Sequence, residues 1–199
     1  HAHLAAGRLA SNLPISEKEH EIVGSLFLLT SKPRLYIANV SEDSLPEGGP
    51  MAGKVCERAA LEGAQAVVTC AQLEADLADW SLDEAKEYRT ELGTQASGLE
   101  QLIHAGYQLL DLITFFTATG TAVVRAWTLE REQTAYDAAG KIHTDMQRGF
   151  IRAEVISHSD LVSAGDFATA RQKGMIRLEG KEYKVQDGDV LHIRFSPPR

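Results

Sequence analysis

The sequence predicts an α/β unit with parallel strands, followed by an α+β unit of short strands, turns and helices. Two short apolar runs, residues 34–39 (RLYIAN) and 64–70 (AQAVVTC), flank a helical segment at residues 51–62. Such runs are typical of strands buried on both faces, and a β–α–β order places two parallel strands in one sheet. After Leu112 the pattern changes to short strands and turns.

The balance of acidic and basic residues also changes near Leu112. Residues 1–111 carry 8 basic against 17 acidic side chains, whereas residues 112–199 carry 12 against 11. Phosphate backbones repel an acidic surface, so RNA contacts are expected mainly from the second half. The apolar fraction of 44% is ordinary, and no apolar run reaches membrane-spanning length. The only cysteines, Cys56 and Cys70, indicate reduced thiols in a cytoplasmic protein, with Cys70 buried and inert.

Helices account for most of the first half. Residues 4–12 have helical composition, and a capping box at Ser16 and Glu19 starts a helix that runs to about Leu29. Pro33 stops that helix, and Gly63 is expected to end the one at residues 51–62. Residues 83–92 and 99–110 predict two more helices. Two parallel strands leave an open sheet edge, which missing strands or another chain would cover.

The second half predicts short elements in a regular order. Ala138, Ala139 and Ile142 share one face of a helix at 135–143, spaced for burial. The predicted strands are 122–129, 150–156, a hairpin of 175–178 with 182–185 joined at Gly180, and 190–195, with Pro197 and Pro198 ending the last. Short helices are predicted at 159–164 and 167–173.

The residues Asn39-Val40-Ser41-Glu42 follow directly on the first buried strand, where open α/β sheets bind ligands. A carboxamide at Asn39 matches the donor and acceptor that adenine presents at N6 and N7. An acidic residue three positions on would accept hydrogen bonds from the N1–H and the N2 amine of guanine. Adenine has neither of these donors. The alternative interpretation is an ordinary polar turn.

Two other patterns are set aside on chemical grounds. Gly48 to Lys54 (GGPMAGK) has phosphate-loop spacing, but Val55 cannot hold Mg²⁺ and Pro50 removes a backbone N–H. His143 and Asp145 sit where a helix ends. They are interpreted as a helix-terminal histidine beside a carboxylate rather than a catalytic pair, because no nucleophile stands near them in sequence. The histidines show no metal-ligand spacing, and no metal site is predicted.

The second half also resembles a known family. The pattern AAGKIHTD…GFIRAEV, preceded by VRAWTL and followed by EGKEYKVQDGDV, is similar to the TGS domain of Obg-like ATPases of the YchF type. Met146 and Gln147 are small departures from it. The resemblance implies a β-grasp, ubiquitin-like module over residues 112–199, at the end of a ribosome-associated ATPase.

The same resemblance extends to the first half. Asn39 to Glu42 is similar to the base-recognition motif of P-loop GTPases in its NxxE form, with Val40 replacing lysine and Glu42 replacing aspartate. In the family this form accompanies a preference for ATP over GTP. Cys70 and Ala71 resemble the second base-binding loop, whose backbone N–H groups face the base. Residues 32–111 would be the C-terminal half of the nucleotide-binding domain, a remnant of a P-loop fold, and 1–31 the tail of a helical insert.

The resemblance implies a parent protein that hydrolyses ATP with Mg²⁺ and binds ribosomes. No phosphate loop accompanies the base-reading motif in this sequence, so we expect no hydrolysis and no tight ATP binding by the chain alone. The alternative function is a non-catalytic TGS adaptor for RNA or the ribosome. Trp127 or Phe150 would stack on bases, unless these residues and their charged neighbours form a solvated face. The basic candidates for RNA or ribosome contact are Arg125, Lys141, Arg148, Arg152, Lys181 and Lys184.

Overall fold

The computed structural model describes residues 1–94, 96–119 and 123–196. The chain divides into two compact units, His1–Leu109 and Leu110–Arg199, each with its own cluster of buried side chains. Within the described ranges, no helix combines the length and the apolar character that crossing a bilayer requires.

The first unit contains two strands and a series of helices. Its strands are β1 (Leu35–Asn39) and β2 (Gln65–Thr69). Its helices are α1 (Ala2–Ala5), α2 (Glu17–Ser25), α3 (Gly49–Leu61), α4 (Ala71–Leu77), α5 (Leu82–Glu91) and α6 (Gly98–Leu109). The predicted strands and the helices α3, α5 and α6 are confirmed. The sequence pattern did not indicate α4, which begins directly after β2.

The first thirty residues are less helical than their composition predicts. The helix predicted at residues 4–12 is instead α1 and a separate 3-10 turn, because Gly7 between them has a positive φ of 72°. The capping box of α2 is confirmed, since the Glu19 carboxylate accepts a hydrogen bond from the backbone N–H of Ser16 at 2.8 Å. α2 ends earlier than predicted, and Phe27 then takes a left-handed φ of 48°.

The strands β1 and β2 are parallel and adjacent, as the β–α–β pattern predicts. Asn39 at the end of β1 pairs with Thr69 at the end of β2. α3 packs against both strands through a face that buries Ala52 and Ala59. Gly48 precedes α3 with a φ of 81°, and a Cβ there would lie 2.5 Å from the Ala52 Cβ, so this position requires glycine. The carboxyl ends of both strands therefore lie side by side.

The segment from Gly48 to Lys54 does not form a phosphate loop. α3 begins at Gly49, so Gly53 and Lys54 are inside a helix, and Pro50 lies in its first turn. A phosphate loop needs these glycines in an open loop whose N–H groups point at the phosphates. The segment is the start of a helix, as predicted from its sequence.

The second unit is a mixed five-stranded sheet with helices. Its strands are β3 (Leu112–Thr119), β4 (Val123–Glu130), β5 (Phe150–Ser157), β6 (Arg177–Glu179) and β7 (Asp189–Phe195), in the order β4-β3-β7-β5-β6. β3 and β7 are parallel, and the other neighbours are antiparallel. The helices are α7 (Ala135–Ile142), α8 (Thr144–Arg148), α9 (His158–Ala164) and α10 (Phe167–Gln172).

One predicted hairpin is wrong. β6 pairs with β5, and the segment at 182–185 contributes only an isolated bridge between Lys184 and Thr134. The buried Asp189 carboxylate explains this, because it accepts hydrogen bonds from the Tyr183 hydroxyl at 2.8 Å and the Gln186 N–H at 2.9 Å. These bonds fold the segment back on itself. Of the other predicted positions, Ala122, Pro197 and Pro198 lie outside the described residues.

α7 packs on one face of the five-stranded sheet. Ala138 and Ala139 are fully buried and Ile142 is partly buried, which confirms the predicted apolar face. Phe115 of β3 is fully buried in the same cluster. α9 and α10 pack in a separate cluster that includes Ile156 of β5. The sheet is therefore packed against helices through two clusters of apolar side chains.

Candidate functional site

The carboxyl ends of β1 and β2 are joined by a side-chain contact. The Asn39 Oδ1 atom accepts a hydrogen bond from the backbone N–H of Ala71 at 2.9 Å, and the Val40 N–H donates to the Thr69 carbonyl at 2.9 Å. The two predicted base-binding segments are thus brought together at one edge of the sheet. Asn39 and Ala71 are both exposed and Val40 is half-buried, so a ligand has access to this edge from solvent.

Cys70, between β2 and α4, is the N-cap residue of α4. It is buried, and its Sγ caps α4 by accepting a hydrogen bond from the Leu73 N–H at 3.5 Å. Ala71 is the first residue of α4, whereas the resemblance implies a loop at this position. The cavity beneath Thr69 and Cys70 measures only about 10 Å³, too little for a purine. A base at this edge would have to lie on the exposed side of Asn39 and Ala71.

Glu42 begins a 3-10 turn three residues after Asn39, and its carboxylate is held by a side chain of α5. The Tyr88 hydroxyl on α5 donates a hydrogen bond to Glu42 Oε1. This bond raises the pKa of Tyr88 above its ordinary value. The Tyr88 ring also contacts Trp80, with 5.5 Å between ring centroids. The acidic group of the motif is therefore fixed in place by a side chain that lies outside the motif.

A second set of contacts ties α4 to the two helices that follow it. Glu74 on α4 forms an ion pair with Arg89 on α5 at 3.2 Å and accepts a hydrogen bond from the Gly98 N–H, at the start of α6, at 2.7 Å. Arg89 follows Tyr88 directly, so α5 contacts both halves of the site. The contact between Tyr88 and Glu42 could not be predicted from the sequence, because 46 positions separate the two residues and no local pattern indicates such a contact.

The basic residues predicted to contact RNA are all exposed, and they lie on several elements of the second unit. Lys184 forms an ion pair with Glu132, and the Lys181 ammonium lies 5.5 Å from the centre of the Tyr136 ring. Within the described residues, no ion pair is found for the remaining four, namely Arg125, Lys141, Arg148 and Arg152.

The two aromatic candidates for base stacking have different surroundings. Phe150 is 7% exposed and packs edge-on against Tyr136, so it is not available for stacking. Trp127 is partly buried against Phe115, and its Nε1 donates to Thr117 Oγ1 at 2.9 Å. Phe150 therefore belongs to the core, contrary to the prediction, because its strand begins on the face that α7 covers.

His143 and Asp145 form a helix cap at the start of α8. His143 caps α8, and its Nδ1 accepts a hydrogen bond from the Asp145 N–H at 3.1 Å. The Asp145 carboxylate lies 3.6 Å from that nitrogen, and the histidine is exposed. This geometry agrees with the helix-terminal interpretation. Over the described ranges, no group of three or more His, Cys, Asp or Glu side chains is placed to hold a metal ion.

Comparison with known proteins identifies the family. The family model described as "YchF-GTPase_C: Protein of unknown function (DUF933)" matches residues 112–196. A curated relative from Bacillus subtilis (strain 168), named "Ribosome-binding ATPase YchF", is 49% identical over 189 residues, which cover 94% of this chain and 51% of the relative. The chain belongs to the YchF family. It corresponds to the C-terminal part of the family's proteins.

Two further matches cover a similar share of this chain and of the matched protein. The Escherichia coli O157:H7 protein of the same name is 46% identical over 191 residues, covering 96% of this chain and 52% of that relative. A solved structure of the Schizosaccharomyces pombe YchF GTPase superposes with a TM-score of 0.83 at 32% identity, covering 96% of this chain and 50% of that one. The chain thus spans about half the length of the YchF relatives it matches.

Proposed function

We propose that this chain carries the base-reading part of an ATP site and a ribosome-binding TGS module of a YchF-type ATPase. The observation that supports the first part is the hydrogen bond from the Ala71 N–H to Asn39, which joins the two base-binding segments at one sheet edge. Ligands of open α/β sheets bind at such carboxyl ends. In this proposal Asn39, Val40, Glu42, Cys70 and Ala71 form the base site.

The groups at this edge can contact a purine base. With Oδ1 held by Ala71, the Asn39 amide nitrogen remains to donate to adenine N7. The Val40 side chain adds an apolar surface that a purine ring can cover. Glu42 offers acceptors only, and adenine has no N1–H or N2 amine to donate to them. Glu42 therefore forms no bond at these positions of adenine, and the proposed preference for ATP over GTP rests on the resemblance of residues 39–42 to the NxxE motif of the family.

The chain on its own is proposed not to hydrolyse ATP. Phosphoryl transfer depends on groups that hold the phosphates and Mg²⁺, and the one phosphate-loop-like segment, Gly48 to Lys54, is helical. ATP with Mg²⁺ would be held in a longer protein, where further strands cover the open edge of β1 and β2. Residues 32–111 would then complete a nucleotide-binding domain, with 1–31 as the tail of a helical insert.

Nucleotide titrations test the base site. The ¹H–¹⁵N NMR spectrum of the 199-residue chain is recorded with millimolar ATP, and Asn39→Ala is the test variant. Shifts of the Val40 and Ala71 amides that disappear in the variant support the base site. Ser11→Ala, on an exposed position remote in sequence, is the control and should keep the wild-type shifts. ATP turnover above a protein-free blank would contradict the proposed inactivity.

The second unit is proposed to be the TGS module, with a β-grasp fold, and to bind the ribosome in the cytoplasm. The support is the name of the curated relatives and the four exposed basic residues without ion pairs in the described chain, Arg125, Lys141, Arg148 and Arg152. Residues 112–199 are also nearly neutral, whereas the first half is strongly acidic. Phosphate-rich RNA would therefore meet less repulsion at the second unit.

Co-sedimentation with purified ribosomes over a salt series tests this module. Replacing Arg152 with glutamine should weaken binding and lower the slope of log affinity against log salt by about 0.7 to 0.9 if one phosphate contact is lost. The matched control is Arg58→Gln in the first unit, which should leave the slope unchanged. Equal effects of both substitutions, or no sedimentation of the wild-type chain, would contradict the assignment.

A further inference from the structure

β4 is an edge strand that lacks the features by which proteins usually protect the edges of a sheet. It lies at one end of the strand order, and within the described residues it pairs with β3 alone. The strand has 8 residues, contains no proline and pairs without a register shift, and its Val124 is 70% exposed. β6 at the other edge has only 3 residues, which include the ion pair of Arg177 and Glu179. Short, charged or bulged strands resist pairing with another chain, so β4 is the edge that can accept one.

A cavity of about 350 Å³ lies beside β4, on the face of the sheet that packs against α7. Alternate residues of β4 line it, namely Val123, Arg125 and Trp127. Ile142 of α7 and Met146 of α8 also line it. Successive side chains of a strand point to opposite faces, so every second side chain of a strand added to β4 would lie on the side of this cavity. Methionine fills irregular spaces, which suits a surface that accepts side chains of different shape.

We propose that β4 binds an extended segment of a partner protein by strand addition, and that this cavity selects the side chains of that segment. Main-chain hydrogen bonds to the edge supply affinity, and alternate side chains supply specificity. On the cavity face, the segment carries an acidic side chain beside Arg125 and apolar side chains beside Val123 and Trp127. This order is the same in both directions, so it holds for parallel and for antiparallel addition. The proposal goes beyond ribosome binding by the second unit and does not depend on it.

Arg125 sets the charge of the segment that fits. It is exposed, and within the described residues it forms no ion pair. Among the described residues that line the cavity, it is also the only lysine, arginine, aspartate or glutamate. Opposite charges that face each other across two strands stabilise the pairing, and like charges destabilise it. An acidic side chain is therefore the complement of this edge.

A second copy of β4 fits the same edge less well. Residues that lie opposite each other on neighbouring strands point to the same face of the sheet. The cavity face of β4 carries Val123, Arg125, Trp127 and Leu129, none of which is acidic. The acidic residue of the strand, Glu130, lies at an alternate position and so on the other face. In a self-paired dimer, Arg125 would meet an apolar side chain or another arginine.

Peptide titrations of the ¹⁵N-labelled 199-residue chain test the proposal. The probe is a nine-residue peptide with valine, glutamate and valine at its third, fifth and seventh positions, threonine between them and lysine at both ends. In two control peptides, glutamine or lysine replaces the central glutamate. Binding should slow hydrogen exchange at every second amide of β4, because strand addition pairs only the N–H groups on the outer edge. The glutamate peptide should bind up to about fivefold more tightly than the glutamine peptide, and the lysine peptide should bind least.

Arg125→Glu should reverse the order of the three peptides. The lysine peptide should then bind most tightly and the glutamate peptide least, because the central charges are exchanged. The matched control is Lys173→Glu, at the exposed C-cap of α10. It gives the chain the same net charge and should keep the wild-type order of affinities.

Three results would overturn the proposal. Equal affinities for the three peptides, or unchanged exchange of the β4 amides, exclude strand addition of an acidic segment. Protection of the β4 amides without peptide, together with concentration-dependent sedimentation, assigns the edge to a second copy of the chain. If a uridine oligonucleotide shifts the β4 amides more strongly than any peptide and loses this effect in Arg125→Glu, the surface binds RNA instead.

Discussion

Replacing Gly98 with alanine should destabilise the first unit by forcing α6 away from the end of β2. Gly98 is buried at the start of α6, and a Cβ added there would lie 1.8 Å from Thr69 Oγ1 and 2.8 Å from the Thr69 Cβ. Neither distance is compatible with non-bonded contact. The backbone of α6 would have to move, together with the hydrogen bond from the Gly98 N–H to Glu74.

The expected cost follows from the size of this overlap. Forcing extra atoms into a packed site typically costs about 1 to 3 kcal/mol, and here both clashing atoms belong to Thr69, a β-branched residue on a strand. Gly106 in the same helix provides the matched control, because a Cβ there meets nothing within 4 Å. Gly106→Ala should stabilise the helix by about 0.5 to 1 kcal/mol. The two substitutions are chemically identical and should have opposite signs.

Trp80 provides a way to follow the first unit alone. The chain has two tryptophans, and Trp127→Phe leaves Trp80 as the fluorescent reporter of urea unfolding. Thr69→Ala combined with Gly98→Ala should recover much of the lost stability, because it removes the atom at 1.8 Å. Thr69→Val should recover none, because a methyl group replaces the hydroxyl. Equal stabilities for the Gly98 and Gly106 variants would refute the close approach of α6 to β2.

Two further predictions concern the second unit. Gly149→Ala should destabilise it by at least about 2 kcal/mol, because the new Cβ would lie 1.9 Å from the Ser196 carbonyl oxygen, whereas Gly180→Ala should be nearly neutral in the same thermal melt. Burial, and then the nearby charge of Arg194, lower the pKa of His192 below its ordinary value. Protonation therefore favours the unfolded chain, so the free energy of unfolding should decrease as the pH falls from about 7.5 to 5.5. In a pH series of urea titrations, the free energy of unfolding of His192→Gln should decrease less over this range. An identical pH dependence in the variant would contradict the role given to His192.

The sequence predicts the elements whose patterns are local. β1, α3 and β2 follow from two apolar runs with a helix between them, and their parallel pairing follows from that order. The capping box of α2 and the buried face of α7 are also local, and both are confirmed. The contact between Asn39 and Ala71 needed only the parallel register, because both residues follow strand ends.

Elements fixed by distant contacts are the ones that sequence reasoning missed. β3 is an apolar run without a distinctive period, and it becomes a strand by pairing with β4 and β7. The segment at 182–185 has strand-like composition, but the buried Asp189 draws Tyr183 and Gln186 to itself. Tyr88 is one more half-exposed residue on an amphipathic helix until Glu42 is brought beside it. Tertiary context decides each of these positions.

The position of β7 affects how the second unit is made on the ribosome. This strand is the last of the unit in the chain, yet it lies between β3 and β5 and pairs with both. Until Asp189–Phe195 emerge during synthesis, the β3–β4 pair and the β5–β6 pair each present an unpaired strand edge. A nascent chain stalled before that point would expose two unpaired strand edges at once. The time before β7 is available is therefore the stage at which chaperones would protect the unit most.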